Sequence, residues 1–187
     1  MSARSWLAVL LVAAGVAGCG SQARSAAPRR SVIRDAFGGS PPPLAELHAQ
    51  ANQLLSGGPV AFKARLRVLR GYPVVVNLWA SWCEPCQSEF PVYQRVAVAY
   101  GRRVAFLGID TQDSNGNAAS FLRRFPVTYP SYTDPHGRIP GSLGADSQYM
   151  PQTLYFNRAG SMIYDKAGPY VTVADLKKDI AFYLHVM

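Results

Sequence analysis

Residues Val74-Val75-Val76-Asn77-Leu78-Trp79 are a short, β-branched, apolar run that reads as a buried strand, and Cys83 to Tyr100 reads as mostly helical. Between them stands the pentapeptide Trp82-Cys83-Glu84-Pro85-Cys86. A fold that accepts this order must place two thiols where a strand hands over to a helix. There the Cys83 sulfur meets backbone N–H groups with no intrahelical partner and the positive end of the helix dipole, both of which favour a thiolate. Cys83 is therefore the expected nucleophile. Cys86, one helical turn on and on the same face, is near enough to close a disulfide and lies deeper, so it is the expected resolving thiol. Pro85 suits the first helical turn, where a missing N–H costs nothing.

A C-x-x-C pair is also half of a structural zinc site, which needs two further Cys or His ligands. The one remaining cysteine is Cys19, and His48, His136 and His185 are scattered with no pair at ligand spacing. No metal is expected, and dithiol chemistry needs no cofactor beyond the Cys83–Cys86 pair itself. The formal charge of +8 is not gathered into a basic helix or arm interleaved with aromatics, so nothing points to nucleic acid.

The chain divides into three parts. Arg4 followed by the apolar stretch Trp6 to Gly18 reads as a signal peptide (residues 1–18), too short and too Gly-rich to span a bilayer comfortably. It ends in Val16-Ala17-Gly18-Cys19, which resembles a bacterial lipobox. That resemblance implies a lipid on Cys19, a mature chain starting there, and an anchored, extracytoplasmic location. An ordinary secretory signal cleaved near Ala17 is the alternative. Residues 19–43, rich in Ser, Ala, Gly, Pro and Arg, read as a flexible tether whose Arg24, Arg29, Arg30 and Arg34 would be attracted to anionic headgroups. Residues 44–187 are the folded domain, with enough apolar residues (49% of the chain) for a core.

Within it, Leu44, Leu47, Ala51 and Leu54 or Leu55 predict a short leading helix stopped by Ser56-Gly57-Gly58-Pro59. Val60 to Arg70 fits either an edge strand or a helical turn. Val104 to Ile109 is a second strand ending at Asp110. Ala118, Phe121, Leu122 and Phe125 make a helical stripe closed by Pro126, and Tyr129 to Thr133 reads as a short extended piece. Gln152 to Phe156 and Met162 to Asp165 suggest a hairpin about Asn157-Arg158-Ala159-Gly160. The closing helix has Val173, Leu176, Ile180, Tyr183 and Leu184 on one stripe and Thr172 as N-cap.

A βαβ unit, a helix and a ββα unit with CxxC at the first strand-to-helix junction read as an α/β thioredoxin-like fold, a central mixed sheet flanked by helices, with an N-terminal extension. Val74 through Pro91, with Asp110, the Asp134-Pro135-His136-Gly137 turn, Met150-Pro151-Gln152-Thr153 and the Asn157–Gly160 turn, resembles the TlpA/ResA/CcmG membrane-tethered thiol-disulfide oxidoreductases over roughly residues 60–187.

That resemblance implies a cis peptide bond before Pro151, lying against the CxxC, with Met150 and Thr153 flanking a partner-binding surface. It implies that Glu89 exchanges a proton with Cys86, its charge and, more weakly, that of solvent-facing Glu84 opposing a thiolate. An ordinary first-turn acid is the plainer reading of each. Trp82 would shield Cys83, Trp79 would fill the core, and Pro91 would kink the helix. The implied partners are protein disulfides, with the Cys pair of an apocytochrome c as a candidate, and a membrane thiol relay of the CcdA or DsbD kind as electron donor.

A dithiol with a disfavoured thiolate is the more reducing, so reduction is the expected direction. A disulfide-forming oxidant of the same fold, and a copper-handling protein using the two thiols and His136, remain as alternatives. A peroxide-reducing enzyme would carry Thr-x-x-Cys, whereas Ala80 stands three residues before Cys83.

Overall fold

The computed structural model describes residues 30–146 and 149–186. The signal peptide, the lipobox with Cys19 and the first part of the tether lie outside these residues.

Two short helices lead in, α1 (Arg30–Phe37) and α2 (Pro42–Ala49), then β1 (Leu54–Leu55) and α3 (Gly58–Val68). The order continues as β2 (Val74–Trp79), α4 (Glu84–Tyr100), β3 (Ala105–Thr111), α5 (Asn115–Arg124), β4 (Ser131–Asp134) and α6 (Arg138–Leu143). It closes with β5 (Gln152–Phe156), β6 (Met162–Ala167) and α7 (Val173–Leu184). The six strands form one sheet in the order β1-β4-β3-β2-β5-β6, parallel from β1 to β2 and antiparallel across β5 and β6. This is the mixed sheet expected, with the short extended piece read at Tyr129 to Thr133 appearing as β4, and with β1 and α6 added.

Strand alternation sorts the core into two layers. Val74, Val76 and Leu78 of β2, with Ala105, Leu107 and Ile109 of β3, face α2, α3 and α6. Val75 and Trp79, with Phe106 and Tyr155, face α4, α5 and α7. Consecutive crossovers through α4 and α5 that step from β2 to β3 to β4 put both helices on one face, because parallel crossovers share one hand. Every residue of β2 is buried, so the strand that delivers the thiols is fixed from both sides.

Several segments differ from the sequence reading. Residues 30–43 hold α1 and the start of α2, whereas their composition predicts a tether. Phe37 is the reason: it stacks on His48 with ring centroids 3.7 Å apart, and His48 Nε2 is 2.9 Å from Gly101 O. The leading helix stops at Ala49, and Leu54–Leu55 pairs instead with Ser131 and Tyr132 as an edge strand. Asn52 makes that turn. It has a φ of 62°, its side-chain amide donates to Leu122 O at 3.2 Å, and its oxygen accepts from Val127 N at 3.0 Å. The ambiguous stretch before β2 is helical, because Phe62, Leu66 and Leu69 at spacings of four and three bury one stripe. α6 gives no apolar period in the sequence; the Asp134 carboxylate organises it by accepting from Arg138 N and Ile139 N, both at 2.9 Å.

Gly108 sits beneath the site. Trp79 Nε1 donates to Ser131 Oγ at 3.1 Å across it, and a Cβ at Gly108 would lie 2.1 Å from that oxygen and 2.9 Å from that nitrogen. Gly108→Ala should therefore break the Trp79–Ser131 bond and destabilise the domain by about 1–3 kcal/mol, the usual cost of overpacking. Denaturant unfolding measures it, and an unchanged midpoint would contradict the packing described.

Candidate dithiol site

Cys83 caps α4. Its backbone is extended (φ −84°, ψ 103°) and its Sγ accepts from Cys86 N at 3.2 Å, which spends one of the helix's unpaired donors on sulfur. Cys83 and Cys86 form a disulfide with Cα atoms 5.2 Å apart, so the oxidised state is on view. Cys83 is 4% exposed and Cys86 0%. Cys83 is thus the outer of the two sulfurs and Cys86 the deeper one. Pro85 lies in the first turn, Glu84 is exposed, and α4 continues through Pro91.

The turn between β2 and α4 is held by the loop after β3. Ser81 N donates to Asp113 Oδ2 at 2.6 Å, and Trp82 Nε1 donates to Gln112 O at 3.0 Å. Trp82 keeps 58% of its surface exposed, an apolar plate beside Cys83 and not a lid over it, while Trp79 is fully buried. Asp110, paired with Trp79 across the β2–β3 ladder, is buried beside Asp113. Burial first, then the neighbouring Asp113 and the Asp134 charge, pushes its carboxyl up to about 8. Neither of its oxygens has a hydrogen-bond partner, while both Asp113 oxygens accept from backbone N–H groups, of Ser81 and Ser114.

Beneath the disulfide lies a second buried acid. Glu89, three residues after Cys86 on α4, is 0% exposed. Its Oε2 accepts from Tyr170 N at 3.1 Å, while Oε1 has no partner. Burial pushes the carboxyl up to about 8, against the opposing pull of the Tyr170 N–H, the Lys166 charge and the Asn77 amide. Below that pH the acid is neutral.

The Tyr170 N–H is itself held in place. Tyr170 Oη donates to Asp179 Oδ2 at 2.5 Å, and Lys166 Nζ lies 2.9 Å from Gly168 O and 4.4 Å from the centre of the Tyr170 ring.

The Met150–Pro151 bond is cis, as the resemblance implies. One register step beyond the Leu78–Gln152 pair brings Pro151 beside the end of β2, and Met150 packs on the cluster that contains both cysteines. Thr153 differs from expectation. It is buried, with its Oγ1 2.5 Å from Tyr93 Oη, so it braces α4 from inside and offers no side chain to a partner. The residue-level reading missed Asn77, Tyr93, Asp113, Lys166 and Tyr170. Asn77 left a signal, an amide inside an apolar strand on the face that alternation turns toward α4. Lys166 and Tyr170 lie some 80 positions away with no pattern to mark them. His136 is exposed on the turn before α6, and among the described residues no group of three or more His, Cys, Asp or Glu is arranged to hold a metal.

Two raised carboxyls predict a pH dependence. Each folded-state value lies above the unfolded one, 4.5 for Glu89 and 3.8 for Asp110, so the folded state binds the extra protons. Their contribution is fully present below those unfolded values and is lost as pH rises toward about 8. Unfolding free energy of the oxidised protein should fall with a slope of up to about 1.4 kcal/mol per pH unit for each acid. Glu89→Gln and Asp110→Asn should each flatten that slope. Equal slopes in variants and parent would show that these acids ionise normally.

Known proteins share this chain's features. It is 32% identical over 98 residues to the thiol:disulfide interchange protein DsbE homolog of Paracoccus denitrificans, covering 52% of this chain and 51% of that protein. It is 27% identical over 121 residues to the thiol-disulfide oxidoreductase ResA of Geobacillus thermodenitrificans, covering 64% and 66%. The chain thus spans between half and two thirds of the length of these relatives. Among solved structures, a secreted Mycobacterium tuberculosis disulfide oxidoreductase homologous to E. coli DsbE superposes with a TM-score of 0.50 at 25% identity, covering 62% of this chain and 85% of that one. Residues 50–165, from the turn before β1 to β6, match the model of the AhpC/TSA family, and the chain belongs to that family, with a thioredoxin-like fold.

Proposed function

We propose that this protein is an extracytoplasmic thiol-disulfide oxidoreductase that reduces disulfides in protein partners through Cys83 and Cys86. The observation that carries it is the pairing of a disulfide at the N-terminus of α4 with a buried acid, Glu89, that titrates at about 8 one turn beyond the inner sulfur. An acid within about one unit of an ordinary thiol exchanges protons with it at little cost in either direction.

In the reduced protein, the Cys83 thiolate attacks one sulfur of the partner disulfide. That S–S bond breaks, its second sulfur leaves as a thiolate and is protonated, and a mixed disulfide forms. Cys86 gives its proton to the Glu89 carboxylate and attacks Cys83 Sγ. The partner's remaining sulfur leaves as a thiolate, two electrons have passed to the partner, and the Cys83–Cys86 disulfide is restored. When a donor dithiol recharges the protein, Cys86 is the leaving group, and the protonated Glu89 of the oxidised state returns the proton. The donor on this reading is a membrane thiol relay of the CcdA or DsbD kind, and an apocytochrome c with oxidised haem-attachment cysteines is the candidate partner. The relatives named for thiol:disulfide interchange support the chemistry.

Reduction is favoured on this reading because burial of both sulfurs disfavours thiolates and so destabilises the reduced pair, which opposes the stabilisation of a Cys83 thiolate by the N-terminus of α4. The Cys83–Cys86 potential tests this. A value near thioredoxin's, about −270 mV, is expected, and one near DsbA's, about −120 mV, would make the protein an oxidant. Glu89→Gln should slow resolution of the mixed disulfide and remove a step near pH 8 from its pH profile.

Location rests on the leader. No helix among the described residues is long and apolar enough to cross a membrane, so attachment would fall to a lipid on Cys19. Cys19→Ala should move the protein from the membrane to the soluble fraction; continued membrane association would exclude the lipid as anchor.

A further inference from the structure

The two ends of the sheet carry opposite charge. At the end where β2, β3 and β4 finish, segments 80–84, 110–114, 134–138, 145–146 and 166–175 bring together Glu84, Asp113, Asp134, Asp146 and Asp175 against the cations Arg138 and Lys166. Of these acids Glu84, Asp146 and Asp175 are exposed, while Asp110 is buried and neutral below about pH 8. At the end where these strands begin, segments 69–73, 100–104, 123–130, 157–161 and 183–186 contain no Asp or Glu. They carry Arg70, Arg102, Arg103, Arg123, Arg124 and Arg158, all exposed. The nearest acids, Asp35 and Glu46, are on α1 and α2, and Asp35 faces Arg34 at 3.7 Å.

Helix dipoles account for part of this polarity. Arg123 and Arg124 lie in the last turn of α5, where cations stabilise a helix. Arg70, Arg102 and Arg158 lie outside helices, the first two just past the caps of α3 and α4 and the third on the β5–β6 turn. They nevertheless converge. Gly71 N donates to Arg158 O at 2.8 Å and Arg158 Nη1 to Gly71 O at 2.9 Å, which sets Arg158 beside Arg70. Arg102 and Arg158 line one cavity of about 330 Å³ together with Arg103, whose guanidinium stacks on Tyr100, and with Tyr72, His185 and Val186. Arg70, which packs against Gly160 and lines a second cavity with Lys63 and Arg67, extends this basic surface, and among the described residues of these segments there is no Asp or Glu, an arrangement that suits an anion.

We propose that this basic end docks on an anionic phospholipid bilayer, with headgroup phosphates taken by Arg70, Arg102 and Arg158, so that the disulfide stands at the far end of the domain. A bilayer fits better than an acidic protein because of where the chain enters. α1 reaches the domain at this end, through Phe37 on His48 and His48 on Gly101. The apolar stretch ending at Gly18 is separated from Arg30 by at most about 40 Å of extended chain. Surface potential fades within about 8–10 Å at ordinary salt, so only arginines on the facing end contribute. The docking is independent of the thiol chemistry.

The test is the partition of the full chain, made by cell-free translation so that it carries no lipid, between vesicles of phosphatidylcholine alone and vesicles containing phosphatidylglycerol. The ratio of the two partition coefficients cancels what the apolar leader contributes. Arg102→Gln should lower that ratio about fivefold at low salt, and the triple change of Arg70, Arg102 and Arg158 to Gln on the order of 100-fold. The same three changed to Lys should keep the preference. A control with an equal loss of charge, Arg95, Arg138 and Lys178 to Gln, should leave it within about twofold, since those residues lie off this end. Near-UV circular dichroism checks each fold, and the single and Lys variants carry the test if the triple Gln protein is unstable. Equal losses for the control and for Arg70, Arg102 and Arg158 would overturn the proposal, as would a parent with no preference for phosphatidylglycerol, which would leave this face to an acidic protein.

Discussion

The whole arrangement depends on β2 being buried on both faces. A strand in that position cannot slip its register without driving Val74, Val76 and Leu78 out of one layer and Val75 and Trp79 out of the other. Its end point is therefore fixed, and with it the turn that releases Cys83 to cap α4. The same alternation turns Asn77 toward α4, opposite Thr153 of β5, so the strand that places the disulfide also lays the polar floor beneath it. Position and chemistry are set by one periodicity.

That floor is costly, since Asn77 and one oxygen of Glu89 are buried without hydrogen-bond partners. An ionised Glu89 would cost more, so the site holds the acid with its proton on below about pH 8. Asp110 repeats this on the other side of Trp79, where a protonated acid meets the carboxylate that anchors Ser81 N. Two neutral acids thus flank the segment that carries the disulfide. Glu89 lies one turn from Cys86 on the same helix and is held by Tyr170 N, while Asp110 lies beside Asp113, which anchors the turn before Cys83.

What the sequence discloses follows from how local each determinant is. β2, β5 and the β5–β6 hairpin are written in strand periodicity, and Cys83, Cys86 and Glu89 share one helix, so their relation can be read from spacing. The cis bond at Pro151 came from resemblance and not from any local propensity. α1 was hidden because Phe37 gains its burial from His48 and Gly101, which no window around residues 30–43 contains. α6 was hidden because its start is written in two hydrogen bonds to the nearby Asp134 carboxylate and not in an apolar stripe. Thr153 was misjudged for the converse reason. Its neighbour Pro151 belongs to the loop beside the thiols, but two residues further along a strand the side chain points to the same face at greater depth, where Tyr93 claims it.

Charge adds a constraint that neither the motif nor the core contains. The exposed acids Glu84, Asp146 and Asp175 at the dithiol end repel anionic partners and draw cationic ones, while the opposite end does the reverse. A small domain with both features has an orientation in any field, including that of a charged membrane. If the basic end faces phosphates, Glu84 and Trp82 face away from them, and Cys83 is presented to partners in the aqueous space at roughly one domain's height from the surface. A recharging thiol of a membrane-embedded donor must then either reach that height or meet the domain when it tips. Tipping works against the attraction of three arginines, so oxidised and reduced partners would meet the same sulfur from different orientations of the domain. The polarity of the sheet, and not the disulfide alone, would then separate the two halves of the electron transfer.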